Sequence, residues 1–444
     1  MADESKTSSD GQGSNVAAQR FAFLKGGDDT LKSENNQEFD WERSSTIVRD
    51  QLSEAMNAKN VAFLLGAGCS SYMDSGKQVG IPTMMPLGKE FSSTVAKGRD
   101  KIFVNATERK ILIDSLGVDL AASAYSANLE RLMEVLHSYR FVLSRSIQSR
   151  HQRPLAVVNT VIMKIQRFVL LRCTQGAFST GDESVLAVYD AFYRKLVFRD
   201  RSLPRPWVFT TNYDLFNETA MDRLGLPYCN GFSGSVERRF NPAVFRYALA
   251  EQLDITSRKW TAVDGFAYLC KLHGSVNWIE DGHGLFPIRE IQTPDPEGRV
   301  MIYPTPAKQN ASLASPYSDL FREFYLRTVR EQSVLFTVGY GFGDEHINNI
   351  IYQALTIPTF RLIIFAAPDA TEEIGRLRDL KDPRVWIVGG DAAPGVPAHY
   401  FKTFVDKLMP IPSGDRIDVA VRKVVEQLIT PTRRASPEES ANVD

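Results

Sequence analysis

Val61-Ala62-Phe63-Leu64-Leu65-Gly66-Ala67-Gly68-Cys69-Ser70 is the stretch that decides the fold. An apolar run enters Gly-Ala-Gly with no polar alternation. A short run of this kind suits a strand covered on both faces of a parallel sheet. Glycine at the turn permits φ > 0 and lets the backbone approach a neighbour closely. If a helix follows, its first N–H groups face a potential phosphate. The full dinucleotide pattern needs a third glycine, and this chain has Ser71 there. By itself the stretch reads equally well as a tight strand-to-helix turn.

Six more runs of this type follow: Trp207–Thr210, Tyr268–Leu272, Val300–Tyr303, Val334–Val338, Leu362–Ala366 and Val385–Val388. Helical patterns separate them. Strands interleaved with helices predict an α/β fold, a Rossmann-like doubly wound and mostly parallel sheet. The sheet domain spans residues 46–104 and 201–410. Residues 105–200 read as a helical insert between its first two strands. There Leu129, Leu132, Met133 and Leu136 form one stripe, and Val157, Val158, Val161, Ile162, Ile165, Phe168 and Val169 a broader face. Leu186, Val188, Phe192 and Leu196 continue the pattern, and the methionine and aromatic positions here are expected in the core. Residues 1–45 are rich in Ser, Asp, Glu, Asn, Gln and Gly and predict a disordered or weakly ordered arm. Phe21, Phe23 and Leu24 interrupt it, as a short docking element or a stray apolar cluster. A C-terminal helix is expected over 411–430 and a disordered tail over 431–444.

The chain has 444 residues, 43% hydrophobic and 24% charged, with a formal net charge of −1. That is the composition of a soluble globular protein. Near-neutral charge argues against general nucleic-acid binding. No apolar run reaches the roughly 18 residues of a membrane span. The start, Met1-Ala2-Asp3-Glu4-Ser5-Lys6, lacks the apolar core of a signal peptide. Cys69, Cys173, Cys229 and Cys270 are far apart and form no C-x-x-C pair, so neither a disulfide framework nor a zinc site is expected. These features predict a cytoplasmic protein with no membrane contact.

Three further motifs stand at predicted strand ends. Thr210-Thr211-Asn212-Tyr213-Asp214 places an amide and a carboxylate two residues apart, where open α/β sheets bind ligands. It also suits an Asn/Asp turn with a helix cap. Lys271-Leu272-His273-Gly274 ends a strand on a histidine that titrates near neutrality and can serve as a base. A lone histidine is more often structural. Gly339-Tyr340-Gly341-Phe342-Gly343-Asp344 turns from a strand into a helix, with Asp344 as its cap and Ile347, Ile350, Ile351 and Leu355 on its buried stripe. Four such motifs along one edge of one sheet form a site hypothesis that none carries singly.

Together the motifs resemble the sirtuin superfamily. Gly66 to Ser70 matches its Gly-Ala-Gly-x-Ser turn, and Gly80-Ile81-Pro82 its Gly-Ile-Pro segment. Thr211-Asn212-Tyr213-Asp214 stands for Gln-Asn-x-Asp, His273-Gly274 for the His-Gly, and Gly339-Tyr340-Gly341 for a later nucleotide-binding turn. The resemblance covers roughly residues 58 to 410. The departures are the absent zinc cysteines, Thr211 in place of Gln, and Thr83-Met84-Met85 after Gly-Ile-Pro. In these the chain resembles the zinc-free sirtuin-like NAD hydrolases of bacterial anti-phage defence. By length it is similar to the subunits that work with a HerA-type translocase ATPase.

The resemblance implies an NAD glycohydrolase that releases nicotinamide and ADP-ribose and depletes NAD. NAD is then the substrate, and no cofactor or zinc is needed. A homo-oligomer and the HerA-type ATPase are the implied partners. His273 and Asn212 become the catalytic residues, with His273 as base and Asn212 holding the ribose and the attacking water. Gly66, Ala67, Gly68, Cys69, Ser70, Gly339, Tyr340 and Gly341 hold the pyrophosphate and adenosine side. Asp214 orients the nicotinamide amide, and Thr211, Gly274 and Asp344 complete the NAD-binding set. A protein deacylase using the same chemistry and a non-catalytic NAD or ADP-ribose sensor are the alternative readings.

Overall fold

The computed structural model describes residues 20–32, 40–74, 76–97, 100–175, 183–197, 199–200, 202–254, 259–263, 265–280, 288–294, 300–302, 315–393 and 396–410. A nine-stranded sheet runs through its centre. In chain order the strands are β1 (Ala22–Lys25), β2 (Asp28–Asp29), β3 (Asn60–Leu65), β4 (Trp207–Thr210), β5 (Tyr228–Cys229), β6 (Ala267–Lys271), β7 (Ser333–Val338), β8 (Arg361–Phe365) and β9 (Val385–Gly389). Their spatial order is β2-β1-β9-β8-β7-β3-β4-β6-β5.

The parallel part of the sheet begins at β3, steps outward through β4 to β6, returns to the other side of β3 at β7, and steps outward again to β9. All these neighbours pair in parallel. This is the six-strand order of dinucleotide-binding sheets, and it reverses direction between β3 and β7.

Alternate residues of the strands face two cores. Val61, Phe63 and Leu65 join Phe336, Ile363 and Val388 on one side, where the rings of Phe63 and Phe336 stack at 4.9 Å. That side is covered by α1 (Trp41–Met56), α2 (Met84–Ser93), α3 (Ala106–Leu116), the short α4 (Ser123–Ser126), α5 (Leu129–Ser144), α6 (Gln152–Gln175), α7 (Ser184–Leu196) and α8 (Phe216–Arg223). Ala62, Leu64, Leu335 and Ile364 face the other way, onto α9 (Tyr317–Thr328), α10 (Glu345–Leu355) and α11 (Glu372–Asp379). Cover on both faces is why these strands are apolar throughout rather than alternating.

The region read as an insert is helical, and its core is continuous with that sheet face. Leu132, Leu136, Ile165, Phe168 and Phe192 belong to the same buried cluster as Phe63. The expectation that no run reaches membrane-spanning length meets one exception. The helical run Ser149–Thr174 is long and apolar enough by length and composition, with a mean hydropathy of 1.4 over its most apolar window. It packs into the core through Val158, Val161, Ile165 and Phe168.

Two other expectations are corrected. Within the stretch expected over 1–45 to be a disordered or weakly ordered arm, residues 20–32 contribute β1 and β2, and α1 begins at Trp41, capped by Asp40. β1 lies antiparallel on β9, with Phe23 opposite Val388. Phe23 is fully buried edge-on against Trp386, and Phe21 packs on Trp41. Mean composition hides this, because a few aromatic residues suffice to seal the open edge of a sheet. The run from Val300 is a strand over Val300–Ile302, yet it lies in a second, antiparallel sheet with Phe232–Ser233, Arg238–Phe240, Gly274–Glu280 and Ile288–Glu290. An apolar run does not reveal which sheet it joins. Tyr303, the helix expected over 411–430 and the tail over 431–444 lie outside the described residues.

Candidate active site

Four turns leave the central sheet at one row. Val338, Leu65, Thr210 and Lys271 are register partners across β7, β3, β4 and β6. Two residues further along each chain stand Tyr340, Ala67, Asn212 and His273. The turns after β7 and β3 flank the point where the strand order reverses, the place where such sheets take ligands.

The first glycine turn has a mostly internal task. Gly66 N–H donates to Val338 O at 2.9 Å and Gly68 N–H to Gly339 O at 3.0 Å. A Cβ on Gly66 would stand 2.4 Å from Gly339 O, and one on Gly68 would stand 2.8 Å from Gly339 Cα. Gly339 itself has φ +63°. Backbone touches backbone here, and no side chain fits between. Cys69 N–H and Ser70 N–H donate to Gly66 O and Ala67 O. Four amides of the turn are thus engaged within the protein. The turn is a 3-10 turn, Ala67–Cys69, followed by the hairpin Ser71–Asp74 and Lys77–Gly80 rather than by a phosphate-facing helix. Glycine spacing alone does not distinguish the two. The Cys69 thiol points into the core and contacts Val338 O, and burial, aided by Asp214, pushes it well above the ordinary thiol range.

The second glycine turn differs. A Cβ at Gly341 or Gly343 would meet nothing within 4 Å, and neither residue has positive φ. Nothing in the packing requires glycine there, so the open space suits a ligand approaching the backbone. A cavity of about 320 Å³ opens beside it, lined by Gly68, Tyr72, Gly339, Gly341, Ala367 and Tyr400 among others. Its size falls within the range of small-molecule sites. Tyr340 also borders it, with its hydroxyl donating to Asn348 Oδ1 at 3.0 Å.

Ser70 ties the first turn to the second motif. Its Oγ donates to Asp214 Oδ2 at 2.5 Å and accepts from Asn212 Nδ2 at 2.9 Å. Asn212 Nδ2 also donates to Gly66 O at 2.9 Å. The amide nitrogen is therefore committed, and the oxygen is what Asn212 offers a ligand. Asp214 Oδ1 accepts from Phe216 N–H at 3.1 Å, the Asn/Asp turn anticipated from sequence. Thr211 N–H donates to Leu65 O at 3.2 Å.

Beneath this turn lies a charge cluster to which sequence reasoning gave no role. Lys271 is 1% exposed, and its Nζ stands 3.1 Å from Glu218 Oε1 and donates to the carbonyls of Tyr213 and Asp214. Burial raises the carboxyls of Asp214 and Glu218, and Lys271 pulls both back down. The one available signal was a lysine between Cys270 and Leu272 inside an apolar strand. Glu218, on α8, gave none.

His273 is held where two sheets meet. β6 ends at Lys271, Gly274 turns the chain at φ +92°, and the second sheet begins. Just beyond, Val276 N–H donates to Tyr213 O at 3.0 Å, which fastens this strand to the Asn212 turn. His273 Nε2 stands 3.0 Å from Asp344 Oδ2, and both side chains are nearly buried. The predicted residues thus assemble as Ser70–Asn212–Asp214 and His273–Asp344, on adjoining strand ends. Neither group lines the 320 Å³ cavity, which lies on the β7 and β8 side. Among the described residues, no three His, Cys, Asp or Glu side chains converge as a metal centre would require.

Residues 206–379 match the family model described as a SIR2-like domain. The match runs from the start of β4 to the end of α11 and includes Asn212, Asp214, His273, Gly339 and Asp344. No curated protein matches the chain. Over these residues the chain is similar to SIR2-like domains, a likeness that points to NAD-related chemistry.

Proposed function

We propose that this chain hydrolyses NAD to nicotinamide and ADP-ribose. The observation that carries the reading is that Asn212 and His273 each stand two residues beyond the register partners Thr210 and Lys271, which end adjacent parallel strands inside the SIR2-like match. In this reading the backbone around Gly341 receives the pyrophosphate side of NAD, and Asn212 Oδ1 accepts a hydrogen bond from a ribose hydroxyl or from water. Asp214 keeps Ser70 and Asn212 in place and has a remaining lone pair for the nicotinamide amide. The C–N bond to nicotinamide breaks and leaves an oxocarbenium-like carbon. Water adds to that carbon, and its proton passes to His273. General-base assistance contributes on the order of 10²–10⁴-fold, and fixed geometry and dipoles contribute the remainder.

The finer parts of the proposal are a cytoplasmic role in anti-phage defence by NAD depletion, a homo-oligomer, and a HerA-type ATPase partner. They rest on the sequence resemblance. Light scattering with and without the ATPase tests the assembly, and a lone monomer in both samples refutes it.

His273→Ala and Asn212→Ala are each expected to abolish nicotinamide release by purified protein while the circular dichroism spectrum stays unchanged. Full activity in both variants removes the assignment. Nicotinamide release that depends on an acylated peptide, with transfer of the acyl group seen by mass spectrometry, replaces hydrolysis by deacylation.

A further inference from the structure

We infer that the amino-terminal edge of the central sheet, opposite the edge that carries His273, holds a second site: an arginine-lined cavity that binds a small molecule bearing linked phosphate groups. The inference stands apart from the NAD reading, because none of its residues belongs to the proposed NAD site.

The cavity measures about 470 Å³, within the range of small-molecule sites. Trp207 and Tyr268, near the starts of β4 and β6, form part of its wall, and Arg205, Arg246, Arg327 and Arg330 line it with them. Among the described residues, no Asp or Glu lines it. Guanidinium groups repel one another, and a cleft lined by one sign of charge concentrates the field that attracts the opposite sign. Burial and the charge of Arg327 lower the Arg330 guanidinium below its ordinary value.

The wall is fastened in place. The Arg327 guanidinium lies 4.4 Å from the centre of the Trp207 ring, which stacks on Tyr268 at 4.3 Å. Its Nη2 pairs with Glu323 Oε2 at 3.1 Å, and its buried Nε has no hydrogen-bond partner among the described residues. Asn60 Nδ2 donates to Glu331 O at 3.0 Å and ties the segment bearing Arg330 to the start of β3. The Tyr268 hydroxyl donates to Tyr247 O at 2.8 Å and ties the segment bearing Arg246 to β6. Arg205 is also engaged within the protein.

The charge and the size together select the ligand. A guanidinium is a planar fork that pairs with two phosphate oxygens at once. Linked phosphates bring several negative charges within a few ångströms, where a carboxylate brings one. A strand of nucleic acid needs a charged groove that follows its backbone, and a closed pocket of this size instead suits a compact anion.

Isothermal titration of the full-length chain with tripolyphosphate, with ATP and with a single-stranded oligonucleotide tests the site. The expected result is saturable binding of tripolyphosphate or ATP that weakens as salt rises. Tighter binding of ATP assigns the site to a nucleotide, and equal binding assigns it to the phosphates alone; both support the inference. Arg246→Gln and Arg330→Gln should each weaken binding on the order of tenfold. Arg246 is exposed, so its substitution leaves the fold intact, as an unchanged unfolding curve would show. Arg376→Gln, which removes an exposed arginine of α11, should leave binding unchanged. No binding of either phosphate probe overturns the inference, and so does an equal loss in Arg376→Gln. Binding that neither Arg246→Gln nor Arg330→Gln weakens places the probe elsewhere, the proposed NAD site included, and also overturns it. Binding of the oligonucleotide alone, lost in both variants, replaces the site with a nucleic-acid surface.

Discussion

Lys271→Met removes the buried cation beneath the Asn212 turn and replaces it with an apolar chain of similar length. At 3.1 Å from Glu218 Oε1, and with an effective dielectric of about 20, the lost attraction is about 5 kcal/mol. Orphaning one partner of a buried ion pair costs about 3–5 kcal/mol. The carbonyls of Tyr213 and Asp214 lose their donor as well. Near neutrality the variant should therefore lose about 3–5 kcal/mol. The pH dependence has a definite sign. Asp214 and Glu218 already sit above their ordinary values of 3.8 and 4.5, and without Lys271 they rise further. A carboxyl whose folded pKa is raised favours folding below its unfolded pKa and loses that contribution as pH rises through the folded pKa. The deficit of Lys271→Met should therefore be larger at neutral pH than on acidification towards those ordinary values. Urea unfolding of Lys271→Met, Glu218→Gln and the double variant, at pH 7 and near pH 5, measures both effects. The double variant should be less destabilised than the sum of the two, because Gln leaves no orphaned charge. Strict additivity, together with a deficit that does not change with pH, would refute the account.

The two glycine turns should respond oppositely to an added methyl group. Gly66→Ala places a Cβ 2.4 Å from Gly339 O, forces the two turns apart and should cost about 1–3 kcal/mol or more. Gly341→Ala meets open space and should leave stability within about 0.5 kcal/mol while weakening NAD turnover; unfolding curves beside nicotinamide release decide, and wild-type turnover in Gly341→Ala removes that turn from the site. Phe23→Ala should cost about 3–5 kcal/mol and uncover the β9 edge, giving concentration-dependent association by light scattering; a stable, monodisperse variant would show that β1 is not needed there.

The sheet was legible because its covering leaves a simple mark. Short apolar runs such as Val61–Leu65 and Val334–Val338 end in glycine or a polar pair, and four of them end on the same row. Local pattern also found the cap at Asp344 and the buried stripe of α5. It could not find pairings between distant segments. Asp344 and His273 are 71 residues apart, and as single letters a helix cap and a strand-end histidine do not announce a partnership. Lys271 and Glu218 meet only after α8 folds onto β6. Gly66 and Gly68 were read as room for a phosphate, whereas the room is filled by the backbone of Gly339. The strand at Val300 looked like its parallel counterparts because an apolar run does not reveal which strands it will pair with.

The placing of β3 bears on how the protein is made. Among the described strands of the sheet it is the earliest long one, yet its neighbours are β4, some 140 residues later, and β7, from well beyond that, where Leu65 meets Val338. At translation speeds of about 5–20 residues per second, β3 waits on the order of tens of seconds for that partner. The cavity needs still more, since Gly68 and Tyr400 both line it. A chain that stops short of Tyr400 therefore lacks part of the cavity wall, and under the proposed reading any work done there waits until that segment has been made and folded.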